Sequence, residues 1–161
     1  MRILLVEGRF YEDISNELAE GAIAEITKHG FSYDRLFVPG AFEIPGAINF
    51  ANESGFYDGF VALGCVIRGE TTHYDYVCSE SARGLMNLIT EKNLAIGYGI
   101  LTVENEEQAM ERAAVNRGNK GRDAALACIE MALLKNKFSK GAKKFIRKTT
   151  KKKTKKPSRK K

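Results

Sequence analysis

The chain alternates short apolar runs with stretches in which apolar residues recur every three or four positions. Residues 2–6, short and apolar, predict a first strand. Ile14, Leu18, Ala22, Ile23 and Ile26 follow at helical spacing, and His29-Gly30 supplies a last-turn cation and a C-cap. Leu36-Phe37-Val38 marks a second strand, stopped by Pro39-Gly40, and a shorter helix is expected over residues 44–52. Residues 60–67 are nearly all apolar, which suits a strand buried on both faces. A helix over 76–93 places Val77, Leu85, Leu88 and Ile89 on or near one face. A fourth strand spans 95–103, and Asn105 with Gln108 three residues on forms a capping signal. Two further helices are expected over 106–114 and 120–134.

Such alternation predicts an α/β three-layer sandwich: a four-stranded parallel sheet with helices on both faces. In sheets of this kind ligands bind beyond the carboxyl ends of the strands. The segments to inspect are therefore 8–11, 39–45, 68–74 and 103–105.

Charge divides the chain in two. Residues 135–161 hold 15 Lys/Arg and no Asp/Glu; residues 1–134 hold 11 Lys/Arg against 20 Asp/Glu, a formal −9. The overall +6 thus reports an appendage. The division predicts a domain over 1–136 and a basic, disordered tail over 137–161, because like charges at this density repel. That tail is either a solvated extension or a contact for an anionic partner bound without sequence preference, acidic faces of neighbouring subunits included. No apolar run approaches the ~20 residues needed to cross a bilayer, and the N-terminus does not read as a secretory signal, so a cytoplasmic protein without membrane contact is expected. Three cysteines (Cys65, Cys78, Cys128) without a Cys-x-x-Cys pair suggest neither a disulfide framework nor a metal site.

The strand-end segments carry the chemistry. In Gly8-Arg9-Phe10-Tyr11 an aromatic just past a strand either offers a stacking platform to a flat heterocycle or plugs the end of the core. In Val38-Pro39-Gly40-Ala41-Phe42-Glu43-Ile44-Pro45, Glu43 either complements a helix dipole or accepts hydrogen bonds from ligand hydroxyls. In Val66-Ile67-Arg68-Gly69-Glu70-Thr71-Thr72-His73-Tyr74-Asp75-Tyr76, a strand opens into a loop before a helix. Its backbone N–H groups suit an anion, and His73 is either a structural histidine or a proton carrier near neutral pH. Arg112 and Lys120 read either as phosphate contacts or as a helix-end cation and a solvent-facing lysine. The loops fit neither a Walker motif nor Gly-x-Gly-x-x-Gly.

In this order the segments resemble the lumazine synthases, joined by Glu104-Asn105-Glu106-Glu107-Gln108-Ala109, Glu111-Arg112-Ala113 and Asn119-Lys120-Gly121. The resemblance runs from about residue 3 to 134. It implies a flavodoxin-like strand order and the condensation of 5-amino-6-(D-ribitylamino)uracil with 3,4-dihydroxy-2-butanone 4-phosphate, without cofactor or metal. By that resemblance Phe10 stacks on the pyrimidine, and Ala41, Phe42 and Glu43 line the ribityl and ring site. Val66 and Ile67 meet the ring through backbone groups, Glu70 and Thr71 hold phosphate, and His73 shuttles protons. Tyr98, Arg112 and Lys120 reach the site from a neighbouring subunit, and the implied assembly is a homopentamer or a multiple of pentamers. Tyr98 stands where the family commonly has Phe. The chain opens almost directly on its first strand, whereas many members carry an extra N-terminal segment that pairs with the next subunit; that departure bears on whether pentamers close into shells. Two rival classes are a nucleic-acid-binding α/β domain that works through the tail, and a member whose pocket only binds riboflavin or serves a shell. The elaborate, non-basic strand ends speak against the first, and Phe10, Glu43, His73, Arg112 and Lys120 together speak against the second.

Overall fold

The computed structural model describes residues 1–153, with side chains described through residue 139. Four strands, β1 (Arg2–Gly8), β2 (Ser32–Val38), β3 (Gly59–Ile67) and β4 (Ile96–Val103), pair in the order β2-β1-β3-β4, all parallel. Between and after them run α1 (Glu12–Lys28), a 3-10 turn at Ala41–Glu43 leading into α2 (Ile44–Glu53), α3 (His73–Glu91), α4 (Glu106–Ala113) and α5 (Lys120–Lys153). This is the expected flavodoxin-like three-layer sandwich.

The two-residue period of the strands builds both faces. Ile3, Leu5, Val61, Leu63, Leu101 and Val103 point toward α1, α4 and α5. Leu4, Val6, Phe60, Ala62, Ile96 and Ile100 point toward α2 and α3. Each fully buried aliphatic side chain among them contributes about 1.5–3 kcal/mol of transfer free energy, which is why β1 and β3 lie at the centre of the sheet. The edge strand β2 is exposed along most of its length, with Phe37 at 57%. Its alternation is therefore weak, and only its last three residues read as strand in the sequence.

Two glycines set the seat of α5. A Cβ on Gly97 of β4 would stand 1.9 Å from the Ala124 carbonyl oxygen, and one on Gly121 would stand 1.9 Å from that of Leu18. Backbone meets backbone at both places. The helix then continues past Leu134, where the apolar periodicity places its end, to Lys153. Lys, Arg and Ala are good helix formers, and cations toward a helix C-terminus suit its dipole. Of the segment expected to be disordered, residues 137–153 thus continue α5 in the backbone, and residues 154–161 lie outside the described residues.

Helix ends follow local signals. Gly30 takes φ +71 after the His29 cap, as the His-Gly pair predicts. The Asn105 side chain accepts from the Gln108 N–H at 2.9 Å, while Gln108 accepts from the N–H of Glu104 at 3.0 Å, one residue before the cap. Helix α3 starts at His73, earlier than the expected residue 76.

Candidate active site

Three strand ends meet around a cleft of about 500 Å³. The β1 loop contributes Phe10 and Tyr11, the turn after β2 contributes Ala41, Phe42 and Glu43, and β3 with its loop contributes Val66, Ile67, Thr71 and His73. Eight of the twelve expected site residues thus line one cavity. Glu70 sits in the same loop between the lining residues Gly69 and Thr71. Tyr98, Arg112 and Lys120 are not among the lining residues.

The loops approach each other closely at Gly8. A Cβ there would stand 2.8 Å from the Gly40 carbonyl carbon and 3.0 Å from the Ala41 nitrogen. Any side chain would push the Phe10 loop off the Ala41–Glu43 turn. The Arg9 N–H also donates to the Val38 carbonyl at 3.0 Å, tying the loop to the end of β2.

Beneath the loop lies a charged group that hydropathy does not announce. Glu7 is fully buried, and its carboxylate accepts from Arg35 Nε and an Nη at 2.7 and 2.8 Å. Arg9 approaches the same carboxylate at 3.6 Å, and both guanidinia lie over the Phe37 ring at 5.3 and 5.1 Å. Glu7 raises the Arg35 pKa above its ordinary value by hydrogen bonding, burial opposing. A buried carboxylate requires such partners. The shared pair fixes the end of β1 against β2 directly before Phe10.

Phe10 itself is 75% exposed, its ring edge-on to Tyr11 with centroids 5.0 Å apart. It plugs no core and has an open face. Phe42 is also exposed, at 54%. Glu43 accepts the Gly40 N–H at 3.0 Å, which holds its carboxylate at the start of the turn while leaving acceptor capacity for a ligand.

At the third strand end Arg68 acts as a clamp. Its Nε meets Glu104 at 2.9 Å, an Nη meets Asp75 at 3.3 Å, and its guanidinium lies 4.0 Å from the centroid of Tyr74. The clamp ties the ends of β3 and β4 to α3, and residues 68–72 link β3 to α3. The His73 N–H lies 3.4 Å from the Thr71 hydroxyl, and both side chains are exposed toward the cleft. His73 stands in the first turn of α3, where backbone N–H groups lack helical partners and favour an anion. Cys65 lines the cleft floor; burial, then the neighbouring Cys78, pushes its thiol up to about 12, so it offers no thiolate near neutral pH.

The three remaining residues occupy local arrangements. An Arg112 Nη donates to the Gln108 carbonyl at 2.9 Å within α4. Lys120 Nζ pairs with Asp123 at 2.9 Å. Tyr98, on β4 and 44% exposed, has its pKa raised chiefly by burial and then by Cys78, while a hydrogen bond with Ser81 opposes the shift.

The family model of 6,7-dimethyl-8-ribityllumazine synthase matches residues 1–136. The chain belongs to this family. A curated family member from Bartonella tribocorum is 56% identical over 137 residues, covering 84% of this chain and 91% of the relative. One from Zymomonas mobilis is 54% identical over 138 residues, covering 86% of this chain and 99% of the relative. One from Rhizobium meliloti is 51% identical over 143 residues, covering 86% and 94%. The family comprises transferase-type condensing enzymes of riboflavin biosynthesis. Glu7–Arg35 and the Arg68 clamp are the parts of this site that sequence reasoning missed. Each depends on partners that lie far apart in the chain, and the one available signal was a charge at the end of an otherwise apolar strand.

Proposed function

We propose that the chain condenses 5-amino-6-(D-ribitylamino)uracil with 3,4-dihydroxy-2-butanone 4-phosphate to give 6,7-dimethyl-8-ribityllumazine, phosphate and water. The observation that carries this reading is the convergence of Phe10, Ala41, Phe42, Glu43, Val66, Ile67, Thr71 and His73 on one cleft in a member of this family. Phe10 offers its open face to the pyrimidine, and Glu43 accepts ribityl hydroxyls. The N–H groups of the Glu70-Thr71 loop and the first turn of α3 hold phosphate.

The 5-amino nitrogen adds to the ketone, and loss of water leaves an imine. Removal of a proton from the carbon skeleton then expels phosphate. The ribitylamino nitrogen closes the ring with loss of a second water. No electrons change hands with an outside partner. Holding two reactants together supplies most of the acceleration, and His73, at the mouth of the cleft, moves protons between successive steps for about 10²–10⁴-fold more.

Tyr98, Arg112 and Lys120 complete the site from a neighbouring subunit of a homopentamer, or of a multiple of pentamers. Their positions outside the chain's own cleft support this, as does the exposed apolar surface of Phe37, Phe50 and Phe56. A cytoplasmic location belongs to the same reading, as the place of a metabolic condensation; no helix among the described residues is long and apolar enough to cross a membrane. The cationic C-terminal segment adds an anionic partner.

The test mixes purified protein with both substrates and follows lumazine absorbance and phosphate release. Turnover that falls with Arg112→Ala is expected. Pyrimidine or riboflavin binding without turnover would overturn the catalytic reading in favour of a pocket that only binds.

A further inference from the structure

The C-terminal segment lies outside the domain that the family shares. The family match ends at residue 136, and the Zymomonas relative is matched over 99% of its length by 138 residues. That leaves the relative no length for a counterpart. The catalytic residues proposed above all precede this segment. We infer that residues 137–161 form a nucleic-acid-binding arm that takes RNA or DNA through the phosphate backbone, without reading sequence. This deepens the anionic-partner reading and is independent of the catalytic one.

Charge spacing is the first argument. The helical part, residues 137–153, holds nine Lys/Arg and no acid. At a rise of about 1.5 Å per residue this is one cation per roughly 2.8 Å of axis. A nucleic acid carries one phosphate charge per about 3.4 Å of single strand and per about 1.7 Å of duplex. The arm's linear charge density falls between the two and so matches a phosphate backbone in scale.

Composition then separates the partner classes. Residues 147–161 contain ten Lys/Arg, and the rest are Thr, Ser and one Pro. A helix that lies in a membrane interface needs an apolar face to insert, and these last fifteen residues have no apolar side chain to form one; the arm's Phe138, Ala142, Phe145 and Ile146 all precede them. Phe138, at the root of the arm, lines a groove on the body with Ile89, Leu94 and Leu134. The acidic body competes less well for a different reason. Six of its carboxylates, Glu7, Asp34, Asp75, Glu80, Glu104 and Glu111, already meet arginines of the body, and the others are spread singly or in short groups along the chain. A nucleic-acid backbone offers an unbroken line of phosphates and releases condensed counterions when the lysines replace them.

The experiment uses the full-length protein and a variant in which the ten Lys/Arg of residues 147–161 are Gln. Two fluorescent probes, a uridine-only RNA and a DNA duplex of about 30 units each, are titrated from about 50 to about 200 mM salt. Either probe should bind the native chain at low salt. Duplex affinity should drop about 10³–10⁵-fold over that range if six to ten phosphates are engaged, with a shallower slope for the single strand. The tighter of the two probes then identifies the preferred source. The Gln variant should bind at least about 100-fold more weakly, with a flatter salt slope, while its lumazine turnover matches the native chain. Several results would overturn the inference: no binding of either probe at low salt, binding indifferent to salt, or equal binding by the variant. Capture on phosphatidylserine vesicles in preference to both probes would overturn it as well. Turnover is read separately, so failure of the arm and failure of the enzyme cannot be confused.

Discussion

Phe10 and Arg112 both follow a strand of the parallel sheet, one in the loop after β1 and the other in the helix after β4. Phe10 faces a cleft, with most of its ring exposed and its loop pinned by Glu7–Arg35 and the Gly8 contact. Arg112 turns back onto the Gln108 carbonyl of its own helix and does not line that cleft. The same contrast separates the whole first group, on β1, β2 and β3, from Tyr98 and Lys120. A cleft built from three strand ends holds a ring and a proton carrier, yet the side-chain cations expected to neutralise a phosphate stand elsewhere. The chemistry proposed for this chain needs both, and this division between the groups is what supports the proposal of a site between subunits.

The largest effect should come from His73→Ala, which lowers kcat by about 10²–10⁴-fold while the pyrimidine KM stays within a few-fold. Steady-state rates with each substrate varied in turn will separate the two parameters. Next, Arg112→Ala should weaken the keto-phosphate by about 10–150-fold, the worth of a charge-assisted hydrogen bond of about 1.5–3 kcal/mol, with the pyrimidine little affected. Co-refolding the two impaired variants in equal amounts, assayed at keto-phosphate concentrations where each alone is slow, sharpens the comparison further. If His73 and Arg112 meet across subunits, random mixing leaves about a quarter of the sites intact and activity rises well above that of either variant. If both serve one site within a chain, the mixture stays as slow as the average of the two. Phe10→Ala should weaken pyrimidine binding by up to about 10-fold, since stacking adds about 0.5–1.5 kcal/mol beyond area. Its melting temperature should hardly move, because the ring is exposed. Tyr98→Phe should have the smallest effect, a change in turnover within a few-fold, as a single hydroxyl paired with Ser81 is removed.

The sheet was legible where burial is one-sided or complete. β3 is buried at every position but its last, and its apolar run says so; α1 presents Ile14, Leu18, Ala22 and Ile26 at helical spacing. β2 was legible only at its end, because an edge strand buries little and its residues carry no strong alternation. The cleft loops could be located from topology alone, but the roles of Glu43 and His73 stayed divided between local and functional readings until the resemblance to a family joined them. The supports of the site were beyond reach. Glu7 finds Arg35 across a strand pair, and Arg68 finds Glu104 at the end of β4; neither spacing leaves a mark on a linear pattern. The end of α5 was misplaced because apolar periodicity tracks contact with the body, and a helix can outrun that contact when its residues favour helix for their own reasons.

The two glycines under α5 have a mechanical consequence. At Gly97 and Gly121 the helix is seated by the absence of a methyl group, with carbonyl oxygens occupying the space. From Gly121 to Lys153 the helix extends about 48 Å at the usual rise per residue. It is therefore a lever whose fulcrum is set at the scale of one carbon atom. A shift of an ångström or so at the seat, spread over the first few turns, swings the far end by several times as much. The bearing on which the cationic arm leaves the enzyme is decided within the enzyme's own core.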